Sequence, residues 1–105
     1  MLDEEQFRRH ADHAVEALKQ ALIAEEAEGG FEVEENNGVL NVVFEEPAAK
    51  FVITPNTPVR QIWISALSTS FKLDWDEASA QFVLRKTGES FQPLLARLIQ
   101  QHLAS

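Results

Sequence analysis

The sequence predicts an α+β fold, a two-layer αβ sandwich in which N- and C-terminal helices pack on one face of an antiparallel sheet of about six strands. Apolar residues recur at helical spacing at the two ends of the chain, from Phe7 to Leu22 and from Phe91 to Ile99. Between them the period falls to two, in short runs separated by Pro, Asn, Ser and Asp. Helix, strands and helix in that order give the sheet one face to bury and one to leave in water. At 105 residues and 45% hydrophobic composition the chain fits one domain, residues 1–105, with a small core.

The first helix starts at Leu2-Asp3-Glu4-Glu5-Gln6-Phe7: Asp3 is the N-cap, Gln6 reaches back to it, and Leu2 and Phe7 form a hydrophobic staple. Phe7, Ala11, Ala14, Leu18 and Leu22 share one face, and Gly29-Gly30 ends the helix. Phe31 and Val33 then alternate with Glu32 and Glu34, and Asn36-Asn37-Gly38 is a tight hairpin turn. Val39 to Phe44 returns, and further strands are expected at Lys50 to Thr54, Gln61 to Ser65, Phe71 to Trp75 and Gln81 to Arg85. Ser90 caps the closing helix, whose Phe91, Leu94, Leu95, Leu98 and Ile99 form a broad apolar face, with Pro93 tolerated in the first turn.

Alternation in Gln61-Ile62-Trp63-Ile64-Ser65 buries the two isoleucines and turns Gln61, Trp63 and Ser65 to the open face, together with Glu32 and Glu34. An outward Trp among polar neighbours either packs across strands or meets a partner. Trp75, in phase with Phe71 and Leu73, belongs to the core or its rim. Charge is uneven: residues 1–49 hold 13 of the 17 acids and 3 of the 9 bases, a balance of −10, while the remainder sums to +2. Such a surface attracts cations or basic proteins and makes nucleic acid an improbable partner. With no cysteine, disulfides, thiolate metal ligands and a Cys nucleophile are excluded. The acidic start and the lack of a membrane-length run lead us to expect a soluble, cytoplasmic protein.

Carboxylates are hard donors for hard cations, and an exposed set offers several weak sites instead of one cage. The candidates are Asp12, Glu16, Glu25, Glu26, Glu28, Glu32 and Glu34; Asp12 and Glu16 are neighbours at i, i+4, and Glu32 and Glu34 share a strand face. His10 and His13 stand at i, i+3, but surface histidines at this spacing are commoner than ligands, and His102 falls near a frayed end with no role assigned. No nucleophile stands beside a base and no Gly loop cradles a phosphate, so no catalytic residue is expected. Asp74 and Asp76 read as polar residues of a hairpin.

Phe7 with Ala11-Asp12, Gly38-Val39-Leu40, Val52-Ile53, Thr57-Pro58 with Gln61-Ile62-Trp63, Leu73-Asp74-Trp75, and Gly88-Glu89-Ser90-Phe91 ahead of Leu94-Leu95 occur in an order that resembles the frataxin family. The resemblance is strongest to its bacterial, CyaY-type members and covers nearly the whole chain. It implies a non-enzymatic iron-binding protein acting as iron donor or regulator in iron–sulfur cluster assembly, beside a cysteine desulfurase and a scaffold protein. It also implies weak ferrous or ferric binding along an acidic ridge of first helix and first strand, which Glu26, Glu28, Glu32 and Glu34 match. A partner surface on the sheet is implied at Asn41, Thr54, Asn56, Gln61, Trp63 and Ser65. This chain departs from the family pattern at Lys19, Gln20, Ile23 and Ala24, where the ridge is commonly acidic, and at Thr54 and Asn56, where Asn and Gln are usual. Weaker or fewer iron sites are therefore expected, in a monomer with oligomerisation under iron load as the alternative. The alternative is a metal-independent acidic module docking on the desulfurase and scaffold; an iron-oxidising enzyme is the remaining rival.

Overall fold

The computed structural model describes residues 2–46 and 48–104, apart from the side chain of Glu28. Helix α1 runs Glu4–Gly29, and its start follows the local chemistry: the Asp3 carboxylate accepts from Gln6 N at 2.8 Å while Asp3 N donates to Gln6 Oε1 at 3.2 Å. Leu2 and Phe7, the staple pair, are both buried in the core. Gly30, at φ 77°, supplies the left-handed residue that stops the helix. At 1.5 Å per residue its 26 residues reach about 39 Å, the long dimension of the molecule at 40 Å.

Seven antiparallel strands follow in sequence order, β1 (Phe31–Asn36), β2 (Val39–Glu45), β3 (Ala48–Asn56), β4 (Gln61–Ala66), β5 (Thr69–Asp76), β6 (Gln81–Leu84) and β7 (Glu89–Ser90), and α2 (Phe91–Ala104) closes the chain. The expected six strands are present. The seventh has two residues, paired as Val83↔Ser90 and Leu84↔Glu89, too few to show an alternating pattern. Ser90, expected as a helix cap, is the last residue of this strand, immediately before Phe91. Strand β3 runs through Pro55, which the sequence marks as a turn; Pro55 pairs with Ile62, and the β2 partners stop at Leu40↔Ile53, so the missing N–H falls beyond the end of the neighbouring strand.

Both helices lie on one face. From α1 come Phe7, Ala11, Val15, Leu18 and Leu22, with Ala14 only half-buried; from α2 come Phe91, Leu94, Leu95, Leu98 and Ile99. They meet the inward strand residues Leu40, Val42, Phe44, Phe51, Ile53, Ile62, Ile64 and Leu73. Each such side chain stabilises by about 1.5–3 kcal/mol through burial. His102 corrects an expectation: it is buried, not frayed, with its ring 4.5 Å from that of Phe44 and 6.0 Å from that of Phe51. Its position in α2, a turn beyond Leu98 and Ile99, puts it on the apolar face. Trp75 is a rim residue as expected, half-buried between Phe82 at 5.1 Å and the stacked ring of His10 at 4.1 Å.

Candidate functional site

Register decides which side chains share the open face. Thr54↔Trp63, Asn56↔Gln61 and Val52↔Ser65 join β3 to β4, Glu34↔Asn41 and Glu32↔Val43 join β1 to β2, and Asn41↔Val52 links the two hairpins. All six expected partner residues therefore stand on one surface with Glu32 and Glu34, because opposed residues in a ladder point the same way. Three strand spacings, roughly 14 Å, separate the β1 acids from β4. The face has two ends, one acidic and one built around Trp63.

Trp63 is half-buried where alternation alone would expose it. Its indole N–H donates to Gln61 Oε1 at 2.8 Å, Gln61 Nε2 donates to Asp74 Oδ1 at 3.0 Å, and Lys72 Nζ lies 4.8 Å from the Trp63 ring centroid. Pairing places these groups: Trp63↔Lys72 and Gln61↔Asp74 are directly opposed in β4 and β5. The chain Asp74–Gln61–Trp63 fixes the ring's orientation, and the ammonium over its face adds about 0.5–1 kcal/mol. Asn41, Thr54 and Asn56 are half-buried and Ser65 is exposed. Lys72 and Asp74 belong to this surface and were not among the expected site residues. Their outward phase followed from inward Phe71 and Leu73, but their opposition to Trp63 and Gln61 depended on a Leu67-Ser68 turn that has no glycine to announce it.

Among the described residues the acidic candidates do not converge. Asp12 and Glu16 are exposed neighbours on α1, and Glu16 is engaged by Gln20 Nε2 at 3.4 Å and Lys19 Nζ at 3.9 Å. Lys19 also bridges to Glu35 on β1 at 2.9 Å. That hydrogen bond, with the Glu16 charge beside it, raises the Lys19 ammonium above its ordinary pKa. Glu25 faces the groove between the helices, near Gln92, Pro93 and Gln100. Glu26 is half-buried and accepts from Val33 N at 2.7 Å. Glu32 and Glu34 are exposed. The Glu28 side chain lies outside the described residues. Among the described residues no three Asp, Glu or His side chains are placed to hold one metal ion together.

Glu26 and Glu32 instead line one groove with Glu45 and Glu46, beside Ile23 and Phe31. Glu45 and Glu46 were missed by the sequence reading. The signal existed: a two-residue turn after Asn36 fixes Phe31↔Phe44, so the residues just past Phe44 must land next to the C-terminal end of α1.

Other acids have structural partners. Asp76 is held below the ordinary carboxylate range by hydrogen bonds from Ser79 and by Arg85, and Glu89 by Arg97 and then Thr87. Arg97 makes two bonds to Glu89, at 2.6 and 2.9 Å. His13 is exposed, and His10 is taken up by its stack on Trp75. No helix is long and apolar enough to cross a membrane among the described residues.

The family model for a frataxin-like domain matches residues 1–105. The iron–sulfur cluster assembly protein CyaY of Pseudomonas fluorescens (strain Pf0-1) is 30% identical over 100 residues, which cover 95% of this chain and 88% of that protein. Its namesake in Azotobacter vinelandii is 31% identical over 81 residues, 77% of this chain and 73% of its own. That of Pseudomonas putida (strain GB-1) is 33% identical over 87 residues, 81% and 78% respectively. The solved frataxin of Psychromonas ingrahamii has the same fold, with a TM-score of 0.77 over 95% of this chain and 91% of its own at 21% identity. With the whole chain matched by the family model and relatives of this identity over most of their length, the chain belongs to the frataxin family, as a bacterial CyaY-like member.

Proposed function

We propose that this protein works in iron–sulfur cluster assembly in the bacterial cytoplasm as an iron donor or regulator, not as an enzyme. It takes ferrous or ferric iron weakly on the carboxylates of α1 and β1 and meets the cysteine desulfurase and scaffold protein through the open sheet face around Trp63. Membership in a family whose relatives are named for cluster assembly supports the pathway. The observation that carries the two-surface reading is the fixed Asp74–Gln61–Trp63 chain on the same face as Glu32 and Glu34.

Iron here is cargo. Exposed monodentate carboxylates release a hard cation readily, as a donor must, whereas a closed cage would retain it. Glu32 and Glu34, with Asp12 and Glu16 on the helix, supply such ligands; Glu26 has its Oε1 to offer while Oε2 accepts from Val33 N–H. Titration with ferrous iron under anaerobic conditions, followed by amide NMR, should shift or broaden residues of α1 and β1. Unshifted amides there at millimolar iron would end the iron reading.

A second reading is favoured by one feature, the pairing of Lys19 with Glu16 and Glu35, which already engages two carboxylates of the acidic side. In it the acids serve only to dock on a basic face of the desulfurase or scaffold, and iron is incidental. Charge reversal of Glu32 and Glu34 separates the two: lost desulfurase binding with an unchanged iron titration selects the docking module.

A further inference from the structure

Strand β1 is an edge of the sheet, and the hairpin that follows it determines where its backbone groups point. Asn37 and Gly38, at φ 50° and 83°, form the turn, so Asn36 and Val39 close it as a hydrogen-bonded pair. Alternation then directs the N–H and C=O groups of Glu32 and Glu34 to β2 and those of Phe31, Val33 and Glu35 to the open side. Such an edge is a template for another strand. Here one outward donor is covered from α1, since Val33 N–H is held by Glu26 Oε2 at 2.7 Å.

The groove alongside has an apolar part, Ile23 and Phe31, and an acidic one, Glu26, Glu32, Glu45 and Glu46; Ile23 is 42% exposed. A second copy of the chain fits this edge poorly. Antiparallel self-pairing about Val33 would set Glu32 of one copy opposite Glu34 of the other, and opposed like charges destabilise a ladder. A strand with Lys or Arg at alternate positions fits it well: its cations would face Glu32 and Glu34 on the open side of the sheet, and a further cation would take Glu26, freeing Val33 N–H for the incoming carbonyl.

We infer that the β1 edge takes up an extended Lys- or Arg-bearing segment of a partner protein by strand addition, with Glu26 as the latch that exchanges Val33 N–H for a cation of that segment. The inference rests on the docking role of the acids given above and adds how the partner is held: by main-chain hydrogen bonds as well as charge.

The test uses the isolated protein and a capped heptapeptide of alternating Lys and Val in which one central Val is replaced by Arg to meet Glu26 on the α1 side, beside the same peptide N-methylated at the alternate positions that would donate to β1. Amide hydrogen exchange should slow at Glu35 and Val33 on adding the first peptide. The N-methylated peptide, equal in charge, should bind roughly tenfold or more weakly. E26Q keeps an acceptor for Val33 N–H but loses the charge, so it should weaken peptide binding without faster exchange at Val33. Equal binding of both peptides, no protection at Glu35, or no binding at all would overturn strand addition. So would a dimer of the protein alone at high salt that protects the same amides, which would assign the edge to a second copy. Neither iron nor the assembly proteins enter this experiment, so its failure leaves the iron titration and the cluster-assembly reading standing.

Discussion

Lys19 lies 2.9 Å from Glu35 and 3.9 Å from Glu16, so two carboxylates of the acidic side are already neutralised by a side chain of the same molecule. A cation arriving there must compete with an ammonium whose pKa is raised by those same groups. K19E should therefore tighten ferrous iron binding several-fold and extend the amide perturbation to Glu16 and Glu35; an affinity equal to wild type would show that Lys19 does not limit the site. Glu89 makes the complementary case, a carboxylate committed to structure. Its folded pKa is depressed, first by Arg97 and then by Thr87, so its contribution to stability is present above the unfolded value of about 4.3 and is lost as pH falls through the folded pKa. E89Q should melt at a lower temperature than wild type at pH 7, with the gap closing below about pH 4; a gap constant with pH would contradict the assignment. The sequence showed the charges of Lys19 and Glu89, but their partners, 16 and 8 residues away, needed the packing of α1 on β1 and of α2 beside β7.

Elements were legible where local chemistry and burial agree. The Asp3-x-x-Gln6 box, the Gly30 stop and the Asn37-Gly38 turn each act within a few residues, and the structure has all three. The β4–β5 turn is different: Leu67 and Ser68 adopt φ of 54° and 61° with no glycine, at a cost of about 1 kcal/mol each. Leu67 recovers part of this by packing against the core, whereas Ser68 is exposed. S68G should stabilise the protein by about 0.5–1 kcal/mol in denaturant unfolding; a loss of stability would mean that chain entropy outweighs the relief of strain. This turn sets Trp63↔Lys72 and Gln61↔Asp74, which is why the orientation of Trp63, and with it Lys72 and Asp74 as site members, was hidden from sequence while its face was not. Glu45 and Glu46 were missed for a milder reason, since the hairpin register that places them was available from Asn37-Gly38.

Across the whole molecule the two helices cover one sheet face and leave the other to water, so the seven strands act as a plate that displays a β1 end and a β4–β5 end about 14 Å apart. The charge follows this division, −10 over residues 1–49 and +2 over the rest. Under the proposed function, iron would be carried at the β1 end of this plate and the assembly partners held at the β4–β5 end. On the proposed function, the Trp63 face engages the cluster-assembly machinery. Capture from native lysate with wild type and W63A, with bound proteins identified by mass spectrometry, tests this most directly. Wild type should retain both the cysteine desulfurase and the scaffold, and W63A, folded by circular dichroism, should lose them; equal retention by W63A would rule out Trp63 as the partner contact.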